Sequence, residues 1–410
     1  MKYGYSENVC DDHFSFITKS NEILELCSAL KQETIIGFDT EFVKETSFFP
    51  RLEIIQVATE KQSWVIDAHM GSEKLGPLLQ VFKDKNILKV GHAIQGDQEC
   101  FYTAYGFFVS PCLDTSIASA LCGYGDSVGL SFLLKEELGV QIKKGHARSH
   151  WGVRPLPKPL LEYAHVDVIH LVNLCKKILE KLENLNRKAW ALELSTQYED
   201  PSLYVPDPMF LAEKLASGRK LDVESFAALV ALMKWREARV RELDIPRRWL
   251  ADDGVLLDLA MVRPKDIQHL KNFRGISKGE MQKSGKAILE AIQNALVIID
   301  NLMPRKFEVK KTPTAKEQQV INLLTCYAAV CAKKHQIALK YLIKSSQYLQ
   351  LIRSNAKNPH DWPHAWVEEK ILTQKACELI GEELWSFLKG EIALCIKDKE
   401  MKLIDLKKHL

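Results

Sequence analysis

Asp39 and Glu41 stand two residues apart in the run Ile35-Ile36-Gly37-Phe38-Asp39-Thr40-Glu41-Phe42. Bulky and apolar, the run reads as a strand, and alternation along a strand sends both carboxylates to one face. Two like charges so close repel each other unless a cation lies between them. Paired carboxylate oxygens suit a hard divalent ion such as Mg2+ or Mn2+. Two later stretches offer partners. Val90-Gly91-His92-Ala93-Ile94-Gln95-Gly96-Asp97 reads as a strand end followed by the first turn of a helix. There Asp97 either answers the helix dipole or adds a third acid at the carboxyl end of a strand, where open sheets place their sites. In Leu160-Leu161-Glu162-Tyr163-Ala164-His165-Val166-Asp167, Tyr163 and Asp167 are one helical turn apart on a common face. They are either a partly exposed polar pair or a metal ligand with a hydroxyl beside it. His165 projects about 160° away around the helix, so Tyr163 and not His165 faces Asp167.

The elements that must hold these groups are legible in outline. Strands are expected at Thr34–Phe42, Leu52–Thr59, Ser63–Asp67 and Ile87–His92, the first three as an antiparallel meander. Helices are expected near Asn21–Leu30, Glu73–Phe82, Gly96–Tyr105, Asp114–Leu121, Leu130–Leu138 and Pro159–Leu185. The fold class is therefore α/β, a mixed sheet flanked by helices over residues 1–200. Three prolines in Pro201-Ser202-Leu203-Tyr204-Val205-Pro206-Asp207-Pro208 mark an interdomain linker, taken as 201–212. Two all-α helical-bundle domains follow, at 213–300 and 313–395. Each opens on a long amphipathic helix, with Leu229, Leu232, Trp235 and Ala238 in the first and Val320, Leu323, Leu324 and Tyr327 in the second.

Composition narrows the class. The 410 residues suffice for two or three domains, and no apolar run reaches the length of a membrane span. Met1-Lys2-Tyr3-Gly4-Tyr5-Ser6-Glu7 lacks the apolar core of a secretory signal. Ten cysteines occur singly, without a Cys-X-X-Cys pair, which fits reduced thiols in a cytoplasmic protein and neither a zinc site nor a disulfide framework. The net charge of +3 divides unevenly: residues 1–200 carry 21 Lys and Arg against 27 Asp and Glu, residues 201–410 carry 35 against 26. An acidic half beside a basic half suits a carboxylate site joined to a polyanion-binding module, or else a lysine-rich helical surface.

Taken together, Phe38-Asp39-Thr40-Glu41-Phe42, Gly91-His92-Ala93 with Asp97, and Tyr163-X-X-X-Asp167 resemble the three exonuclease motifs of the DEDD superfamily in its tyrosine variant. Phe49-Pro50-Arg51-Leu52, Ile55-Gln56-Val57, Leu113-Asp114-Thr115 and Arg154-Pro155-Leu156 narrow the resemblance to ribonuclease D over residues of about 30 to 180. Leu232-X-X-Trp235-Arg236-Glu237, Pro246, Ala251-Asp252-Asp253, Leu256, Pro264, Leu270 and Gly275 resemble the helicase-and-ribonuclease-D C-terminal (HRDC) domain. Leu379-Ile380-Gly381-Glu382-Glu383-Leu384 is similar to the end of a second, divergent copy.

The resemblance implies a ribonuclease H-like fold and a 3′→5′ exoribonuclease that trims RNA 3′ ends, precursor tRNA among them, and releases nucleoside 5′-monophosphates. It implies two divalent ions held by Asp39, Glu41, Asp97 and Asp167. Asp39 would bridge the ions, Glu41 and Asp167 complete the ion on the nucleophile side, Asp97 support the other, and Tyr163 hydrogen-bond the attacking water. It also implies a monomer. A DNA exonuclease of the same superfamily would use the same acids, and an inactive RNA-binding scaffold would normally lack one of them, whereas all five side chains are present.

Four further residues are candidate RNA contacts. Phe42 and Phe48 could stack on bases, or pack in the core as Phe49 is expected to. Lys144 and Arg148, in the basic loop Lys143–Trp151, could clamp phosphates, or the loop could be solvated with Trp151 as its anchor.

Overall fold

The computed structural model describes residues 14–142, 145, 149–217, 219–297, 312–354 and 364–406. Six strands form the N-terminal sheet: β1 (Phe14–Ile17), β2 (Ile35–Val43), β3 (Arg51–Ala58), β4 (Ser63–Asp67), β5 (Leu88–Gly91) and β6 (Cys112–Asp114). Their order is β1-β4-β3-β2-β5-β6. β2, β3 and β4 make the expected antiparallel meander, while β1 joins β4, and β5 and β6 extend from β2, in parallel. β1 and β6, of four and three residues, are too short to show a period and escaped the sequence reading.

Alternation along β2 sorts its side chains between two layers. Ile36 and Phe38 enter a core with α1 (Ser20–Leu30), α2 (Ser72–Lys83) and α3 (Gln95–Tyr105). Gly37, Asp39 and Glu41 face the other layer, built from α4 (Thr115–Leu121), α5 (Leu130–Leu138), α6 (Lys158–Ile169), α7 (Leu171–Asn184) and α8 (Lys188–Ser195). A Cβ at Gly37 would lie 3.0 Å from Leu171 Cβ and 3.2 Å from the Val168 carbonyl, so this glycine lets the α6–α7 junction approach the strand. The expected single helix at Pro159–Leu185 is in fact α6 and α7, broken at His170 (φ −96°, ψ −5°). The break leaves α6 across β3 and β4 and sends α7 against β2 and β5.

The linker is shorter than read. α9 (Pro208–Ala216) already belongs to the first helical module, since Ala212 and Ala216 are buried in its core. That module continues through α10 (Val223–Leu243), α11 (Arg247–Leu250), α12 (Asp253–Val262), α13 (Ile267–Lys271) and α14 (Lys278–Val297). In α10, Leu229 and Leu232 are buried as expected and Ala238 is exposed. Arg236 and Glu237 are buried in its place.

The second module has α15 (Ala315–Lys334), α16 (Ser345–Arg353), α17 (His364–Glu368) and α18 (Gln374–Leu388). Leu324 and Tyr327 are buried, whereas Val320 and Leu323 are exposed. The module is not all-α. A hairpin, β7 (Ile392–Lys397) and β8 (Glu400–Asp405), ends it, and the sequence boundary at 395 falls inside β7. Its apolar residues share one continuous core with α4–α8, from Ala58 and Leu121 to Leu372 and Leu384. Arg187 closes that seam, donating at 2.7 Å to the carbonyls of Leu121, His335 and Gln336. Among the described residues no helix is long and apolar enough to cross a membrane.

Candidate active site

β5 pairs with β2 only as far as Gly37, so the stretch of β2 that carries Asp39 and Glu41 has no strand on that side. The N-terminus of α3 comes in there. Gly91 permits it, because a Cβ would fall 2.5 Å from Ile94 Cγ2 and 3.2 Å from the Phe38 carbonyl. The turn runs through Ala93 at φ +60°, a left-handed conformation costly for a residue with a Cβ. Buried Asp114 holds it, accepting from the Ala93 and Ile94 amides at 2.8 and 3.2 Å and capping α4 through the Ser116 amide. Thr115 Oγ1 donates to the Gly91 carbonyl at 2.9 Å. Asp114 and Thr115 belonged to the resemblance but received no role. The signal was available, since an Asp directly before an apolar helical run is an N-cap signature.

Asp97 so placed is buried and accepts a hydrogen bond from Thr40 Oγ1 at 2.5 Å and one from Asp39. Thr40 lies on the face of β2 opposite Asp39, so Asp97 reaches the strand from its far side. From the near side, α6 contributes Asp167, whose carboxylate accepts a hydrogen bond from the Tyr163 hydroxyl one turn earlier. His165 points away as expected. It is buried, 2.6 Å from Ser63 Oγ, and stacked on Phe14 at 5.1 Å between ring centroids.

Electrostatics show the four acids acting on one another. Burial, then the charges of Asp97, Asp167 and Glu41, raise Asp39 well above the usual carboxylate range. Burial, Asp167 and Asp97 push Glu41 up to about 9. Burial raises Asp97 to about 6 against hydrogen bonds from Thr40 and Asp39, and raises Asp167 to about 6 against the one from Tyr163. Burial and the neighbouring Asp167 carboxylate raise the Tyr163 phenol. Among the described residues no three of His, Cys, Asp or Glu are drawn into a cage that grips an ion. Mutual repulsion opposes such a cage, and protein donors occupy Asp97 and Asp167. The donor set nonetheless fits a divalent cation, since desolvated carboxylates that burden one another are what a hard cation relieves.

A cleft of about 150 Å3 is lined by Phe42, Val43, Lys44 and Glu45, which follow Glu41 along the chain, and by Ser149, His150 and Trp151. Phe42 is half-buried with its ring beside Gly96. Trp151 is 1% exposed, its ring centroid 6.1 Å from that of Tyr163, so it anchors its loop. Arg154 fastens the same loop to the sheet, donating to the Trp151 and Glu53 carbonyls and to both Asp67 oxygens. Lys144 and Arg148 lie outside the described residues. The two adjacent phenylalanines exchange their expected places. Phe48, a candidate for base stacking, is 8% exposed and packed on Val240 and Leu250 of the first module, whereas Phe49 is 36% exposed. Periodicity within one domain cannot reveal that a second domain covers a loop.

Residues 14–183 match a family model described as 3′-5′ exonuclease, and residues 225–292 match the HRDC domain model. The chain is 31% identical over 391 residues to ribonuclease D of Granulibacter bethesdensis, covering 95% of this chain and 96% of that one. It is 32% identical over 389 residues to ribonuclease D of Zymomonas mobilis subsp. mobilis, covering 94% and 98%. Its fold superposes on the crystal structure of Escherichia coli RNase D, described as an exoribonuclease involved in structured RNA processing. There the TM-score is 0.75, at 24% identity over 92% of this chain and 99% of that one.

Proposed function

The chain belongs to the ribonuclease D family, and on that premise we propose how its five clustered side chains hydrolyse RNA from the 3′ end. It is a 3′→5′ exoribonuclease with an exonuclease domain followed by an HRDC domain. The observation that carries the mechanistic reading is the set of four desolvated acids acting on one another beside Tyr163.

Asp39, Glu41, Asp97 and Asp167 would hold two divalent ions, Mg2+ or Mn2+. Such ions neutralise charge on a phosphodiester and lower the pKa of a bound water. Asp39, flanked by the other three acids, is suited to serve both ions. Glu41 and Asp167 would help hold the ion on the nucleophile side and Asp97 the other. Tyr163 orients the attacking water: with its phenol raised, it keeps its proton at neutral pH and can hydrogen-bond without taking a proton. The half-buried Phe42 ring offers a face for the terminal base, and Lys144 and Arg148 offer charge to the phosphates.

Precursor tRNA 3′ ends in the cytoplasm are the substrate we favour, handled by a monomer. The HRDC domain holds structured RNA away from the cut, and α15–α18 act as a divergent second copy. In support, Lys265, Lys271, Arg274, Lys278, Lys283 and Lys286 are all exposed on or beside α13 and α14.

RNA and DNA oligonucleotides of one sequence, incubated with the purified chain and Mg2+, test the reading. Nucleoside 5′-monophosphates should leave the RNA one at a time from its 3′ end, and a chelator should stop the reaction. Internal fragments, or equal processing of the DNA, would overturn it.

A further inference from the structure

The seven residues 44–50 carry the chain from the carboxylate strand β2 back into β3. Two-residue to five-residue loops commonly close a hairpin, and a longer one needs outside support to keep one shape. Here the support comes from another domain. Asp244 Oδ1 accepts from the Phe48 and Phe49 amides, both at 3.0 Å. The Phe48 ring has the guanidiniums of Arg241 and Arg247 at 5.0 and 4.9 Å from its centroid. Buried Glu237 holds Arg247 from behind with hydrogen bonds of 2.6 and 2.7 Å. Asp244 ends α10 at φ +48°, a left-handed conformation that Asp, Asn and Gly adopt most readily.

The loop so held leads directly to the acids. A bulge in the β2–β3 register lies between Glu41 and Phe42. Phe42 meets Gly96, beside Asp97, and Lys44 Nζ pairs with Glu99 of α3 at 2.5 Å. Residues 42–45 also form one wall of a cleft whose other wall includes Trp151, the neighbour of Tyr163.

We infer that Asp244 is a positioning residue for hydrolysis: the α10–α11 corner of the HRDC domain holds loop 44–50, and through it the Glu41 end of β2, in working shape even for an RNA too short to touch the helical module. This rests on the exonuclease reading above and assigns the HRDC domain a part in turnover as well as in RNA binding.

Full-length Asp244→Gly keeps the backbone free to adopt the left-handed turn and removes the acceptor, whereas Asp244→Asn keeps both. On a single-stranded RNA tetranucleotide with Mg2+, Asp244→Gly, which leaves the Phe48 and Phe49 amides without their acceptor, should lower kcat about 10-fold, equivalent to about 1.4 kcal/mol of barrier. KM, and affinity for a structured RNA, should stay within about 2-fold, and Asp244→Asn should match the parent. Should Asp244→Gly fail to fold, Phe48→Leu, which removes the ring between the guanidiniums, carries the same expectation. Parent-like kcat in the folded variant, an Asn variant as slow as the Gly one, or a defect confined to binding would overturn the role. So would a parent that degrades structured RNA and leaves the tetranucleotide intact. A parent inactive on both RNAs would instead sink the nuclease reading.

Discussion

The Tyr163 hydroxyl donates its hydrogen bond to Asp167, the acid one turn along the same helix. While it donates to Asp167, the phenol oxygen can accept a hydrogen bond from the attacking water, so one hydroxyl links the acid to the nucleophile. Tyr163→Phe should therefore slow single-turnover hydrolysis about 100-fold or more while leaving RNA affinity within about 2-fold. An unchanged rate would remove Tyr163 from the chemistry.

Asp39 is burdened by three neighbouring acids. Asp39→Asn should abolish hydrolysis and, in a chelator, leave the thermal midpoint equal to or above that of the parent, because the change relieves repulsion. Mg2+ should raise the parent's midpoint through binding to the folded state and barely move the variant's. A variant still stabilised by Mg2+ as strongly as the parent would show that the ion sits elsewhere.

Each of the four acids binds its proton more tightly folded than unfolded, since an unfolded chain titrates them at about 4. Their contribution to stability is thus fully present below about pH 4. It is lost as pH rises through about 6 for Asp97 and Asp167, and on to about 9 for Glu41. In a chelator the midpoint should fall over that window, and the increment produced by Mg2+ should grow over it. A midpoint in chelator that rises between pH 5 and 9 would contradict the assignment.

Arg187 reaches carbonyls on both sides of the seam between α4–α8 and the second helical module. Arg187→Met leaves the buried Leu121 carbonyl and the part-buried His335 and Gln336 carbonyls without their donor, at about 1–3 kcal/mol for a buried acceptor and less where water can reach. Urea unfolding should show a loss of about 2 kcal/mol or more. A loss below about 1 kcal/mol would mean that water replaces the guanidinium without penalty.

Much of the site was legible because its chemistry is local. Asp39 and Glu41 share a strand face, and Tyr163 and Asp167 a helix face, by spacing alone. The orientation of His165 followed from helical geometry too. What stayed hidden was long-range. Thr40 bonding Asp97, Asp114 bracing the left-handed turn at Ala93, and Arg154 tying the Trp151 loop to Asp67 and Glu53 each join residues distant in sequence. Phe48 misled for the same reason, since its covering surface lies nearly 200 residues downstream. Val320 and Leu323 misled differently: an apolar stripe at helical spacing indicates a face, but not that the fold covers all of it.

The two helical modules are not attached alike. The first meets the exonuclease domain through the small patch around Phe48, whereas the second completes the core that begins under α4. A nascent chain therefore cannot finish its N-terminal domain until α15–α18 have left the ribosome, about 10 s or more after the acids themselves at ordinary synthesis rates. Full rigidity of the acid-bearing domain is thereby deferred until α15–α18 have been made and docked. Excision of residues 209–410 would likewise leave a nuclease with an open flank, not a minimal enzyme.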